Sequence, residues 1–288
     1  MSRQTGSLRY ASVREIEAVL QRKELDRKRR EARSQLSWQI LALGVFLAVW
    51  QVASGTVVDS FFVSKPSAIA LKLWDLLRTG DFAYHLGYTL FNTLAGYLIG
   101  STLGIALAAT VTFFPLMNEI IEPFVTALYA VPVVAYAPLL VVWFGIGVLP
   151  KILLAALFVF FIVFINTLAG MQETSHHMRQ QLLLFGANRM QIAWHVTLPS
   201  ALPFTVSALR ITLPQAMIGA VVGEFISSNR GIGWFINQSS SNYDTAGVMA
   251  GVLVLGGAVM LMNLMLNFLQ RKYAKWGRVH GAALGSVL

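Results

Sequence analysis

The chain reads as an all-α polytopic membrane protein of six spanning helices, with a long polar loop between the fourth and the fifth. Only 12% of its 288 residues are charged and 56% are hydrophobic, whereas a soluble domain carries about 25% charged residues on its water-facing surface. The apolar residues gather in runs long enough to cross a hydrocarbon core, which takes about 20 residues of helix. The cations gather outside those runs. Of 22 Lys and Arg, 16 fall in the segments 1–37, 113–119, 170–203 and 270–288. The outer segments and their edges hold Lys65, Lys72, Arg78, Lys151 and Arg230, and Arg210 lies within a span. Cytoplasmic loops carry the excess of cations, so this bias predicts both termini and the 170–203 loop inside. The net charge of +9 is therefore a topology signal rather than a nucleic-acid footprint. With no cysteine, disulfides, thiol nucleophiles and Cys-based metal sites are excluded.

Residues 1–37 form a basic segment with ten cations and five acids. Ser12-Val13-Arg14-Glu15 has the capping-box pattern, and Val13, Ile16, Val19 and Leu20 fall on one helical face. Glu24/Lys28 and Asp26/Arg30 are favourable i,i+4 pairs. Two readings stand side by side: an amphipathic helix on the anionic lipid surface, and a solvated tail that only fixes orientation. The polar lead is too long for a cleavable signal peptide.

The membrane-spanning body is residues 38–269. Its first span is Trp38–Ser54, with Trp38 and Trp50 as interface aromatics. Residues 55–88 predict a Pro-led turn and a short amphipathic helix on the outer face. Span two, Thr89–Thr112, carries Gly96, Gly100 and Gly104 four apart, a spacing that lets another helix approach closely. Span three, Ile120–Phe144, is expected to kink at Pro132 and Pro138, and span four is Pro150–Ala169. Span five, Phe204–Ile226, holds Arg210, Pro214, Gly219, Gly223 and Glu224. Span six, Thr245–Leu269, repeats the small-residue spacing at Gly247 and Gly251, and residues 270–288 form a cytoplasmic tail.

The loop between spans four and five contains two short helical patterns. Leu182, Leu183, Leu184 and Phe185 lead to Gly186, where φ > 0 would make a corner. Met190, Ile192, Ala193 and Val196 follow, before Leu198-Pro199 and Pro203. His176-His177 point to different helix faces and no carboxylate completes a set, so no metal site is expected. Met178, Met190 and Trp194 read as packing residues. Arg210 either lines a path for an anion or snorkels to the headgroups. Glu224, a carboxylate within a span, is a functional candidate by default. Fourteen residues separate the two, roughly 21 Å along a helix, so they cannot pair. Pro132, Pro138 and Pro214 either shape a pathway or are plain packing kinks.

Gly186, nine residues, Val196, one residue, Leu198-Pro199 resembles the G-x9-I-x-L-P pattern of the cytoplasmic "EAA" loop, with Val for Ile. That loop belongs to the transmembrane subunits of ATP-binding-cassette importers. The stretches His85-Leu86, Thr89 to Tyr97 (TLFNTLAGY), VVWFGIG at 141–147, ALRI at 208–211 and GIGWFI at 231–236 resemble the nitrate/sulfonate/taurine-type branch. At the positions that give the loop its name stand Gln180, Gln181 and Leu182, so its acidic residue is missing and only neutral hydrogen bonding remains there. The resemblance implies that the loop, through Gln180, Gln181, Leu182, Gly186, Ala187, Met190, Val196, Leu198 and Pro199, docks as a coupling helix on an ATPase subunit. It implies a gate or dimer-contact role for Glu224, a second permease copy as homodimer partner, two ATPase copies and a periplasmic or lipid-anchored binding protein, in a bacterial inner membrane.

The chain has no G-x-x-x-x-G-K-[ST], so ATP and Mg are expected on the ATPase partner, with no cofactor and no catalytic residue here. A stand-alone carrier would show repeated halves with midplane charges. An intramembrane enzyme would need G-x-S-x-G, H-E-x-x-H or Cys; His85 and Asp81 do not suffice. The outer cations weakly favour an anionic solute, of the sulfonate, taurine or nitrate kind that the resemblance spans.

Overall fold

The computed structural model describes residues 24, 27, 30, 31, 34–173 and 176–273. The apolar face at 13–20, the pairs Glu24/Lys28 and Asp26/Arg30, and the tail beyond 273 lie outside them. Nearer the membrane, Arg27 and Glu31 form an i,i+4 ion pair at 3.5 Å. Two compact units divide the chain, residues 1–67 and 68–288. In the first, helix α1 (Ser34–Ala53) is long and apolar enough to cross a membrane. It leads to a loop that Ser54 Oγ closes by donating to Val63 O at 2.5 Å.

The second unit is nearly all helix: α2 (Pro66–Thr79, begun at the unit boundary), α3 (Asp81–Phe113), α4 (Pro115–Ala130), α5 (Tyr136–Phe144), α6 (Leu149–Gln172), α7 (His176–Leu184), α8 (Arg189–Ile192), α9 (Leu198–Ser227), α10 (Ile232–Ser241) and α11 (Thr245–Tyr273). Among the described residues, five helices qualify as spans, or six when the bent pair α4–α5 is taken as one.

Helix α6 is the hub. A Cβ on Gly96 would stand 2.8 Å from Ile152 O and press on Ala155, and one on Gly100 would press on Ala156 O. On the other flank, a Cβ on Gly219 would lie 2.7 Å from Ala155 Cα, and one on Gly223 3.0 Å from Lys151 Cα. The missing side chains bring α3 and α9 into backbone contact with α6, the close approach that dispersion rewards where no hydrophobic effect separates helix from lipid. Gly104 faces Phe160 and Phe164 in the same way, while Gly247 faces Ser239 and Asp244, and Gly251 faces Ile236 of α10. Phe161, Phe164 and Leu168 of α6 then close a core with Ala108 and Val111 of α3 and Val125 of α4.

Three expectations about the elements need correcting. The third span does not kink; it turns through 82° between α4 and the stretch Val133–Phe144. Pro132 forces Val131 into the extended region (φ −76°, ψ 130°), because a residue before proline is driven out of the α region. Pro138 sits in the first turn of α5, where a missing N–H leaves nothing unpaired. Second, the span predicted from Phe204 begins earlier: helix is continuous from Met190 to Ser227, through Pro199, Pro203 and Pro214. Third, residues 81–88 belong to the long helix α3 and not to an outer loop; Gly80, at φ +80°, makes the corner that separates α2 from it.

Candidate functional site

The corner between α7 and α8 is built by two consecutive caps. Gly186 takes φ +82°; its N–H donates to Leu183 O, and that of Ala187 to Leu182 O, both at 3.0 Å. These are the two bonds of a Schellman motif, which needs a left-handed residue at this place. Two residues on, Asn188 Oδ1 accepts from Gln191 N, and Gln191 Oε1 accepts from Asn188 N, each at 2.8 Å. That reciprocal pair is a capping box and starts α8. One helix is thus stopped and the next started within six residues. Sequence reasoning missed Asn188 and Gln191, although Asn-x-x-Gln is the signal that finds them.

Beyond α8 the chain widens into a π turn, Ala193–Thr197. Pro199 lacks the N–H that would bond one turn back, and a π turn is one way to absorb that loss. Val196 and Leu198 are half-buried and Pro199 exposed. An open cavity of about 610 Å³ lies in the angle, walled by Leu182, Phe185, Ile192 and Val196, with Gln191 and His195 as its polar groups. Around it Leu184 and Phe185 are each 87% exposed, and Met190 and Trp194 project too. Gln180 and Gln181 are exposed on α7; the side chains of His176, His177 and Met178 lie outside the described residues. Among the described residues no acid, base and nucleophile meet here. What the corner presents is a rigid apolar knob beside a groove, suited to a macromolecular partner.

At the far end of α9 lies a second centre. Glu224 is fully buried. Its Oε2 accepts from Thr89 Oγ1 at 3.0 Å and from Gly233 N at 2.9 Å, and its Oε1 accepts from Asn92 Nδ2 at 3.3 Å. Thr89 Oγ1 also accepts from Ile232 N at 2.8 Å, and His85 Nδ1 from Gly231 N at 3.1 Å. A buried carboxylate needs such donors, since an unpaired one is far more costly. Gly231, at φ +100°, lies against the carboxylate so closely that a Cβ could not be added. His85 stacks on Trp234, ring centroids 5.2 Å apart. Glu224 is thus a clamp between α3, α9 and the first turn of α10.

The other pathway candidates do not join it. Arg210 lies exposed on α9, roughly 21 Å along the axis from Glu224, Pro214 is between them, and Pro132 and Pro138 shape the α4–α5 break. The cations counted on the outer side divide as well. Lys72 pairs with Asp244 at 2.6 Å, Lys151 is only 2% exposed, and Arg230 covers the Tyr84 ring at 5.8 Å. Burial alone would push the Asp244 carboxyl up, but the Lys72 ammonium and the Gly247 N–H outweigh it and hold Asp244 below the usual carboxylate range.

These features agree with what the chain is similar to. It is 31% identical over 269 residues to the taurine transport system permease protein TauC of Escherichia coli, covering 90% of this chain and 98% of that one. It is 30% identical over 257 residues to the putative aliphatic sulfonates transport permease protein SsuC of Bacillus subtilis (86% and 91%). With the riboflavin transport system permease protein RibX of Chloroflexus aurantiacus it shares 29% over 249 residues (84% and 92%). The fold matches that of an amino acid ABC transporter crystallised with histidines, at a TM-score of 0.53 and 17% identity over 70% of this chain and 96% of that one. Residues 100–278 match the family described as binding-protein-dependent transport system inner membrane component. The chain belongs to that family, as a multi-pass inner-membrane permease subunit of an ATP-binding-cassette importer.

Proposed function

We propose that the chain forms half of a translocation pathway for a small organic anion of the sulfonate class, with both termini and the α7–α8 corner on the cytoplasmic side. Residues 38–269 are the permease domain, flanked by a basic segment and a tail. A second copy supplies the other half, and two ATPase subunits, which hold ATP and Mg, each receive one corner. A binding protein delivers solute at the Gly231–Asn242 end. The observation that carries this reading is the corner itself. Two interlocked caps hold Leu184, Phe185 and Met190 exposed, and at a cytoplasmic corner that exposure is costly unless a partner covers them.

Relatives named for taurine and aliphatic sulfonates support the anion class; one named for riboflavin widens it. The test is gentle purification from the native membrane followed by identification of what comes with the chain. A stoichiometric P-loop ATPase, lost in Leu184→Asp/Phe185→Asp, supports docking at the corner. A chain that emerges alone at every detergent strength overturns it. Uptake of labelled taurine with the cognate binding protein tests the solute class, and no uptake of any sulfonate refutes that half.

A further inference from the structure

The end of the bundle that holds Glu224 carries the tripeptide Gly-Ile-Gly twice, as Gly145-Ile146-Gly147 between α5 and α6 and as Gly231-Ile232-Gly233 at the start of α10. The two turns share a backbone conformation. Gly145 has φ 76°, ψ −172°, and Gly231 has φ 100°, ψ 162°, a region that only glycine enters freely. Each turn is held by one buried ionisable side chain from the helix beside it. Glu224 of α9 accepts from Gly233 N at 2.9 Å, and Lys151 of α6 donates through Nζ to Gly147 O at 2.6 Å. Lys151 is 2% and Glu224 0% exposed. They come from a place where α6 and α9 are in backbone contact, Gly223 lying against the Lys151 backbone and stem.

The turns differ in one respect. Ile232 is buried, at 3%, among residues of α2, α3 and α11, whereas Ile146 is 83% exposed. The α9–α10 turn therefore has an apolar anchor as well as its carboxylate, whereas the α5–α6 turn has the lysine bond and the backbone cap from Gly145 N to Val141 O at 2.8 Å. We propose that Lys151 and Glu224 act as one pair of positioning residues. Glu224 fixes the α9–α10 turn, and Lys151 ties the α5–α6 turn to it, so that the two lips keep their spacing when the permease moves.

The absence of cysteine makes the spacing measurable. Spin labels at Ile146→Cys and Asn229→Cys, both exposed, report the separation of the turns in the intact permease–ATPase complex, with and without trapped nucleotide. We expect a narrow distribution, and clear broadening in Lys151→Met and in Glu224→Gln, with the charge-preserving Lys151→Arg close to the parent. Each single change should lower uptake about tenfold, and the double change about tenfold rather than about a hundredfold, because coupled residues do not add. A narrow distribution in Lys151→Met, or multiplicative losses in the double variant, overturns the proposal. Should Lys151→Met fail to assemble, Glu224→Gln and Lys151→Arg decide the same question. The inference rests on the importer reading, but the label distances need no solute and no uptake, so failure of the solute assignment would leave them standing.

Discussion

Replacing Gly186 separates backbone strain from every other effect, because the space around it is empty. A Cβ at this position would meet nothing within 4 Å, so substitution creates no clash and its whole effect comes from holding φ at +82°. That conformation costs a non-glycine residue about 1–3 kcal/mol. Asn stands at the low end, Ala higher, and β-branched Val at the top. At about 1.4 kcal/mol per factor of ten, Val would favour a relaxed corner over the native one by up to about a hundredfold. Relaxation breaks both Schellman bonds and frees α7 to swing relative to α8, while α6 and α9 are untouched. Membrane insertion should therefore be normal in Gly186→Val, and uptake should fall while the associated ATPase continues to turn over. The assay is ATP hydrolysed per solute imported in proteoliposomes, across Gly, Asn, Ala and Val. A monotonic rise in that ratio is expected. Normal uptake in Gly186→Val, or equal defects for Asn and Val, would refute the strain argument.

Three further outcomes are expected. Gly231→Ala combines a strained φ with a collision against the Glu224 carboxylate, so it should lower stability by about 2–5 kcal/mol; Gly80→Ala, with similar φ but open space around it, should lose clearly less in the same thermal melt. Asn188→Ala removes the α8 cap and should cost about 1 kcal/mol, with Gln191→Ala adding little to it, as a double-mutant melt would reveal. The Lys72–Asp244 contact should be pH-dependent. Asp244 is held below its unfolded value, near 3.9, so its contribution is complete above that value and disappears as pH falls through the lower folded one. The stability gap between the parent and Lys72→Met should accordingly be present at pH 7 and close toward pH 3; a gap of equal size at both would exclude the contact as its source.

The spans were legible because each is a run of apolar residues, and run length is a local property. Small residues at four-residue spacing likewise mark Gly96, Gly100 and Gly104 as a surface before any partner is known. What sequence could not supply was which helix faces them, or that Ala155 of α6 stands between Gly96 on one side and Gly219 on the other. Glu224 is conspicuous as a charge within a span, but its donors Thr89 and Asn92 lie 135 and 132 residues away, and nothing local announces them. Lys151 misled for the same reason. At the start of a span it counts as an outer charge, and only the tertiary fold buries it. The break at Pro132 was legible as a weakness in the helix, whereas its 82° follows from what the two halves pack against. Continuity of α9 through three prolines was the reverse case: local rules disfavour it, and only the structure shows the helix running on through them, with a π turn just before Pro199.

That helix, 38 residues without interruption from Met190 to Ser227, is roughly 57 Å long at ~1.5 Å per residue, more than a bilayer's thickness including headgroups. It begins at the corner capped by Asn188 and ends at the Glu224 clamp, so both ends of the machine are mounted on a single beam. A tilt of a few degrees at one end becomes a displacement of ångströms at the other, with no relay of side chains in between. The π turn at Ala193–Thr197 and the prolines at 203 and 214 are where that beam departs from regular α-helical hydrogen bonding. Stiffening them would transmit more of the stroke and waste less of it, and softening them would leave the two ends moving out of step.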